Sequence, residues 1–164
     1  MKKLILALTV AVLAGVGSWF VWSPVQAAPD VSFTSLEGKQ LSMKDLRGKV
    51  VLVKFWATDC VTCIAQMPDT IANYNQYSPE GFQTVAVAMK YDPPNYVLNY
   101  AQTRKLPFTV ALDTKGELAE AFGNVRLTPT AFLIDKQGNI IKRYLGDYDK
   151  AEFHATVEKA LAAG

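Results

Sequence analysis

The sequence predicts an α/β sandwich, a mixed β-sheet covered on both faces by helices. Three observations carry that expectation. Val50–Trp56 and Phe82–Met89 are apolar runs without alternation, the pattern of strands buried on both faces. A segment of helical character follows each of them, so strands and helices alternate through the first half. The second half closes with two apolar runs around Lys136-Gln137-Gly138, a hairpin signature, and then an amphipathic helix.

In chain order, Val31–Leu36 and Lys39–Met43 read as a short hairpin turning at Glu37-Gly38. Ala28–Ser32 reads as a tether ahead of it. Asp45–Gly48 is a turn or a single helical turn. Val50–Trp56 is the first central strand, and Ile64–Tyr77 reads as a helix that Pro68 should kink. The strand over Phe82–Met89 is stopped by Asp92-Pro93-Pro94. Asn95–Arg104 reads as a helix with Tyr96, Val97 and Tyr100 on one side. Phe108–Leu112 is a short strand and Glu117–Phe122 a short helix. Thr130–Asp135 and Asn139–Leu145 form the closing hairpin, and Lys150–Ala163 is the last helix.

The chemistry concentrates in Phe55-Trp56-Ala57-Thr58-Asp59-Cys60-Val61-Thr62-Cys63, which holds both cysteines of the chain. The pair sits where a strand hands over to a helix, with Cys60 at or near the helix N-terminus. Unpaired N–H groups and the helix dipole there favour negative charge, so a thiol loses its proton more easily. Cys63 follows one turn later on the same face and can attack a mixed disulfide formed at Cys60. The pair reads as a reversible two-electron switch. Zinc would need three or four ligands, and the remaining candidate, His154, lies far along the chain in the last helix. A bridge over two residues closes too short a loop to be a useful staple. No metal and no cofactor is expected.

The N-terminus reads as an export signal: Lys2 and Lys3, then an apolar run from Leu4 to Trp22, then Pro24 and small residues up to Ala27. As a helix the run would span ~28 Å, close to the ~30 Å of a bilayer core. Residues 1–27 therefore form either a cleaved signal peptide or a retained membrane anchor, with Trp19 and Trp22 at an interface. Either way, residues 28–164 lie outside the cytoplasmic membrane as one domain. Of 17 basic and 15 acidic residues, the signal removes two lysines and no acids, leaving the domain neutral. Scattered Lys and Arg give no nucleic-acid surface. His154 reads as a solvated helix residue, Tyr91, Tyr96 and Tyr100 as core or groove lining, and Glu117 and Glu120 as surface.

Several pieces together resemble the TlpA/ResA group of exported thiol:disulfide oxidoreductases. They are Val50–Thr58, the Cys60–Cys63 pair, Met67-Pro68, and Leu127-Thr128-Pro129-Thr130-Ala131-Phe132-Leu133-Ile134-Asp135. The segment Tyr91–Leu112 resembles that group's strand–helix insertion, and the opening hairpin is typical of it. The resemblance covers about residues 31–163. It implies a thioredoxin-like three-layer sandwich with an N-terminal β-hairpin extension. It also implies that Cys60 attacks, Cys63 resolves, and Thr128, Pro129 and Trp56 meet the substrate, with Pro129 as the family's cis-proline.

Three departures bear on the chemistry. Lys54 stands where thioredoxin has a buried carboxylate. It would stabilise a thiolate if it approached Cys63, but the expectation favoured is that its ammonium snorkels to the surface. Asp59 replaces a frequent tryptophan and disfavours a thiolate at Cys60. Val61-Thr62 lacks the histidine of the strongly oxidising relatives. The last departure points to an ordinary or mildly perturbed Cys60, hence a reductant or exchange role, and the chain reads as a monomeric protein-disulfide reductase. The resemblance implies periplasmic substrates such as apocytochrome c or copper-site cysteines, and a membrane electron donor of thiol-reductase type. The alternative is a copper-binding or copper-delivery protein using the same two thiolates. A thiol peroxidase fits less well, because it would want a lone peroxidatic cysteine.

Overall fold

The computed structural model describes residues 26–163. The apolar run 4–22 lies outside the described residues. Among those described, no helix is long and apolar enough to cross a membrane.

Five strands form the central sheet: β3 (Val50–Trp56), β4 (Phe82–Ala88), β5 (Thr109–Leu112), β6 (Thr130–Ile134) and β7 (Ile140–Leu145). A separate hairpin pairs β1 (Ser32–Thr34) with β2 (Gln40–Ser42). The order across the central sheet is β5-β4-β3-β6-β7. β3, β4 and β5 run parallel, while β6 and β7 run antiparallel to their neighbours. The sheet is mixed because crossover helices join the first three strands and a hairpin joins the last two.

β3 is central and buried along its whole length. Val51, Val53 and Phe55 face a core closed by the opening hairpin and by α3 (Glu117–Ala121), which contributes Leu118 and Ala119. Val50, Leu52 and Trp56 face the opposite layer. That layer holds α1 (Val61–Tyr77), α2 (Pro94–Arg104) and α4 (Lys150–Ala162). The expected three-layer sandwich is therefore present, and period-2 alternation sorts each β3 side chain to its layer.

Several expectations need correction. Ala28–Ser32 is not a tether. Ala28 is buried, its N–H donates to Gly138 O, and Met43 N–H donates to Val31 O. Gln26 and Ala27 pair with the start of β7 through Ile140 N–H to Gln26 O and a bridge to Asn139. At the other side of the sheet, Leu36 N–H donates to Val110 O, so the opening hairpin covers part of the β5 edge. Helix α1 begins at Val61 rather than Ile64, because Cys60 serves as its N-cap. Helix α2 starts at Pro94, the first-turn position where a missing N–H costs nothing. Tyr91 and Tyr96 point outward at 53% and 59% exposure, while Tyr100 packs half-buried on Trp56. His154 is not simply solvated, since its Nδ1 lies 2.7 Å from the Tyr77 hydroxyl.

Candidate active site

Three loops meet at one end of the sheet. The first is Ala57–Cys60, leaving the C-terminal end of β3. The second is Met89–Pro93, leaving the parallel end of β4, where Met89 N–H donates to Trp56 O. The third is Leu127–Pro129, entering β6. The antiparallel register pairs Phe55 with Thr130, which sets the third loop beside the end of β3. Open α/β sheets place their sites at strand ends of this kind.

Cys60 and Cys63 form a disulfide with Cα atoms 5.2 Å apart. Cys60 is half-buried and Cys63 fully buried. The Cys60 sulfur accepts the Cys63 N–H at 3.2 Å. It therefore stands where the first turn of α1 directs its unpaired N–H groups, a position that favours a thiolate once the bond is opened.

Asp92 holds the loop that leads into Cys60. Its carboxylate accepts from Thr58 N–H and Thr58 Oγ1, both at 2.6 Å. It is buried, so both bonds work in a medium of low dielectric and are of the stronger, charge-assisted kind. The Thr128-Pro129 peptide bond is cis. The Tyr91 hydroxyl lies 3.3 Å from Thr128 Oγ1. The segment Tyr91-Asp92 thus ties the other two loops together. Around the dithiol, Val61 is 84% and Leu127 63% exposed, an apolar rim open to solvent.

Two residues before Trp56, on the same face of β3, lies Lys54. Its ammonium does not snorkel: the residue is 1% exposed, on the β3 face turned toward α1. Lys54 Nζ donates to Gln66 Oε1 at 2.9 Å and to Thr70 Oγ1 at 3.1 Å. Burial pushes its pKa down from 10.5 to about 8, with the carboxylates of Asp69 and Asp147 opposing that fall. Snorkelling fails because both neighbouring strands and α1 cover the stem, and α1 supplies acceptors inside the layer.

The expected site residues divide accordingly. Cys60, Cys63, Thr128 and Pro129 gather at one end of the sheet, and Asp59 sits exposed beside Cys60 in sequence. Trp56 does not line a substrate surface here. It is fully buried, packed with Cys63, Met67 and Tyr100. Sequence reasoning missed Gln66 and Thr70. Their signal was present: they fall three and seven residues after Cys63, polar groups on a buried stripe shared with Met67 and Tyr77. It also took Asp92 for a strand terminator rather than a loop anchor.

Comparison with known proteins agrees with this geometry. The Redoxin family model matches residues 24–161. The chain is 35% identical over 132 residues to the thiol-disulfide oxidoreductase ResA of Bacillus thuringiensis subsp. konkukian, covering 80% of this chain and 75% of that protein. ResA of Bacillus subtilis is 30% identical over 127 residues, covering 77% and 70%. Among solved structures, a thiol:disulfide interchange protein of the thioredoxin family from Chlorobium tepidum superposes with a TM-score of 0.78 at 31% identity. That match covers 87% of this chain and all of the other. With its dithiol capping a helix at the end of a five-stranded mixed sheet, the chain belongs to the Redoxin family, as a ResA/TlpA-like thiol:disulfide oxidoreductase of thioredoxin fold.

Proposed function

We propose that this oxidoreductase works outside the cytoplasmic membrane as a reductant of disulfides in other proteins. The observation that carries the reading is the asymmetry of the dithiol: a half-buried sulfur at a helix N-terminus, followed one turn later by a fully buried one. Cys60 attacks the substrate disulfide and forms a mixed disulfide. Cys63 then attacks Cys60, closes the intramolecular bond and releases the reduced substrate. Thr128 and Pro129 dock the substrate chain, and the apolar rim of Val61 and Leu127 suits a polypeptide partner. Exposed Asp59 tempers the Cys60 thiolate, in keeping with a reductant.

The substrates in this reading are exported proteins with paired cysteines, such as an apocytochrome c or a copper-site protein. A membrane thiol donor returns the dithiol to its reduced state, and the protein acts as a monomer. Residues 1–27 deliver it, as a cleaved signal or as a retained anchor. The pairing of Gln26 and Ala27 with β7 supports retention, because a cut after Ala27 would remove those contacts.

The test is covalent trapping. Cys63→Ser expressed with residues 1–27 should accumulate mixed disulfides through Cys60 in the exported compartment, and mass spectrometry would name the partners. Trapping by Cys60→Ser alone would reverse the two roles. Absence of any adduct from either variant would remove the protein-reductase reading.

A further inference from the structure

Tyr91 is a shared wall between the Thr128-Pro129 loop and a cleft that the exchange steps above leave unused. The cleft encloses about 600 Å³ and runs from the end of β4 past α3 to the approach to β6. Its charged residues are Lys90, Lys115 and Arg126 against Glu120. Residues 28–164 carry equal numbers of basic and acidic side chains, so this is a local excess of positive charge.

The cations are open to a ligand. All three are exposed. Among the described residues, Lys90 and Arg126 enter no ion pair. Lys115 meets Glu117 at 3.9 Å, an exposed contact of little strength. Lys90 lies along the cleft rather than away from it. Its stem passes over Gly116, with Cδ 3.0 Å and Nζ 3.6 Å from where a side chain on that glycine would begin. Gly116 has φ +81°, so the backbone conformation and the crossing lysine both call for glycine there.

The neighbouring acids are committed elsewhere. Asp92 is buried and accepts from Thr58. Asp113 is buried and accepts from the Leu118 and Ala119 N–H groups. Asp59 belongs to the cysteine loop and does not line the cleft.

The cleft is continuous with the docking loop. The Tyr91 hydroxyl lies 3.3 Å from Thr128 Oγ1. Arg126 precedes Thr128 by two residues, ~7 Å of extended chain. A substrate held at Thr128-Pro129, with its cysteine at Cys60, therefore brings residues about two to four positions from that cysteine to the cleft mouth.

We propose that this cleft is a specificity subsite for an acidic side chain, an Asp or Glu close in sequence to the substrate cysteine that Cys60 attacks. The inference rests on the reading of the protein as a reductant of protein disulfides docked at Thr128-Pro129. Arg126 can hold a carboxylate through two parallel N–H groups, while Lys90 and Lys115 act as point charges. Exposed pairs add little affinity one by one, but a grouped excess of one sign steers an incoming chain and fixes its register. The occupant is part of a polypeptide rather than a free anion, because Tyr91 joins the cleft to the loop that docks the substrate chain.

The experiment uses reduced full-length protein and disulfide-linked dimers of a short peptide with one cysteine. The residues two and three positions to either side of that cysteine are Asp, Asn or Lys. Release of free peptide thiol gives a second-order rate constant for each. The wild type should reduce the Asp dimer on the order of five- to tenfold faster than the Asn dimer at low ionic strength, and the gap should narrow with salt. Lys90→Glu combined with Arg126→Glu should invert the preference toward the Lys dimer, which a merely structural role would not do. Lys49→Glu, an exposed change at the far end of β3, should keep the wild-type ratio. Equal wild-type rates for the Asp and Asn dimers overturn the inference. So does an Asp preference that survives charge reversal in the cleft, or one that Lys49→Glu removes as completely. Should the double variant not fold, Arg126→Glu alone carries the same comparison. Failure of the wild type to reduce any of the dimers would instead overturn the reductase reading, and this inference with it.

Discussion

Burying the Lys54 ammonium should make the stability of this protein rise with pH in a range where most proteins lose stability. In the unfolded chain the lysine titrates near its ordinary 10.5, and in the folded chain near about 8. Between those values the unfolded chain binds more protons, so stability increases with pH there. Below the folded value both states are protonated and the folded state bears the full penalty of the buried charge. At ~1.4 kcal/mol per pH unit that penalty is about 3 kcal/mol. Moving from about pH 7 to about pH 9.5 should relieve about 2 kcal/mol of it. Other lysines and tyrosines also titrate over that interval, so the comparison is with Lys54→Met. The substitution removes the charge and leaves Gln66 Oε1 and Thr70 Oγ1 without their donor. That loss costs about 1–3 kcal/mol per group but does not depend on pH. Urea unfolding of both oxidised proteins across the interval isolates the slope. The wild-type curve should climb relative to that of Lys54→Met by about 2 kcal/mol. Parallel curves would mean that Lys54 titrates alike in both states, and the account of its burial would be wrong.

Two further outcomes follow from the site. Asp92→Ala should destabilise the protein by about 2–3 kcal/mol, because two half-buried donors on Thr58 lose a charged, buried acceptor. Asp92→Asn can re-form both bonds with its amide and should cost only about 1 kcal/mol; equal losses for the two variants in urea unfolding would contradict that reading. Trp56, packed with Cys63, should change its emission when the disulfide is reduced. With Trp19 and Trp22 replaced by phenylalanine, identical spectra for the two redox states would count against that packing as a reporter.

Much of the fold was legible because it rests on local patterns. Val50–Trp56 could be bounded to the residue, since a run of apolar residues before a Cys pair leaves little room for another reading. The closing hairpin was signalled by Lys136-Gln137-Gly138 and the last helix by its amphipathic period. Errors fell where distant segments meet. Ala28 looks like linker in isolation, and only its bond to Gly138 makes it part of the sheet edge. Tyr96 and Val97 look equally suited to a core, and the packing of α2 selects Val97. In the site, the cysteines announced themselves by spacing, but the fate of Lys54 depended on acceptors twelve and sixteen residues away. The anchoring of Thr58 by Asp92 spans 34 residues and leaves no local signature at all.

The charges around the dithiol oppose the tendencies that the fold alone would impose. A helix N-terminus favours the thiolate at Cys60, and full burial disfavours it at Cys63. Left to those two effects, the exposed sulfur would ionise readily and the buried one hardly at all. Such a pair releases its first leaving group well but resolves slowly. In the proposed reading, Asp59, exposed in the loop before Cys60, opposes the helix dipole at the first sulfur. Lys54 is held by Gln66 and Thr70, three and seven residues beyond the second sulfur on the same helix. The Asp59 charge narrows the difference between the two thiols in that reading. A couple built this way has no strongly stabilised thiolate to hold it in the reduced form, so it gives up its electrons readily. That behaviour fits the role proposed above, of a protein that hands electrons to other disulfides.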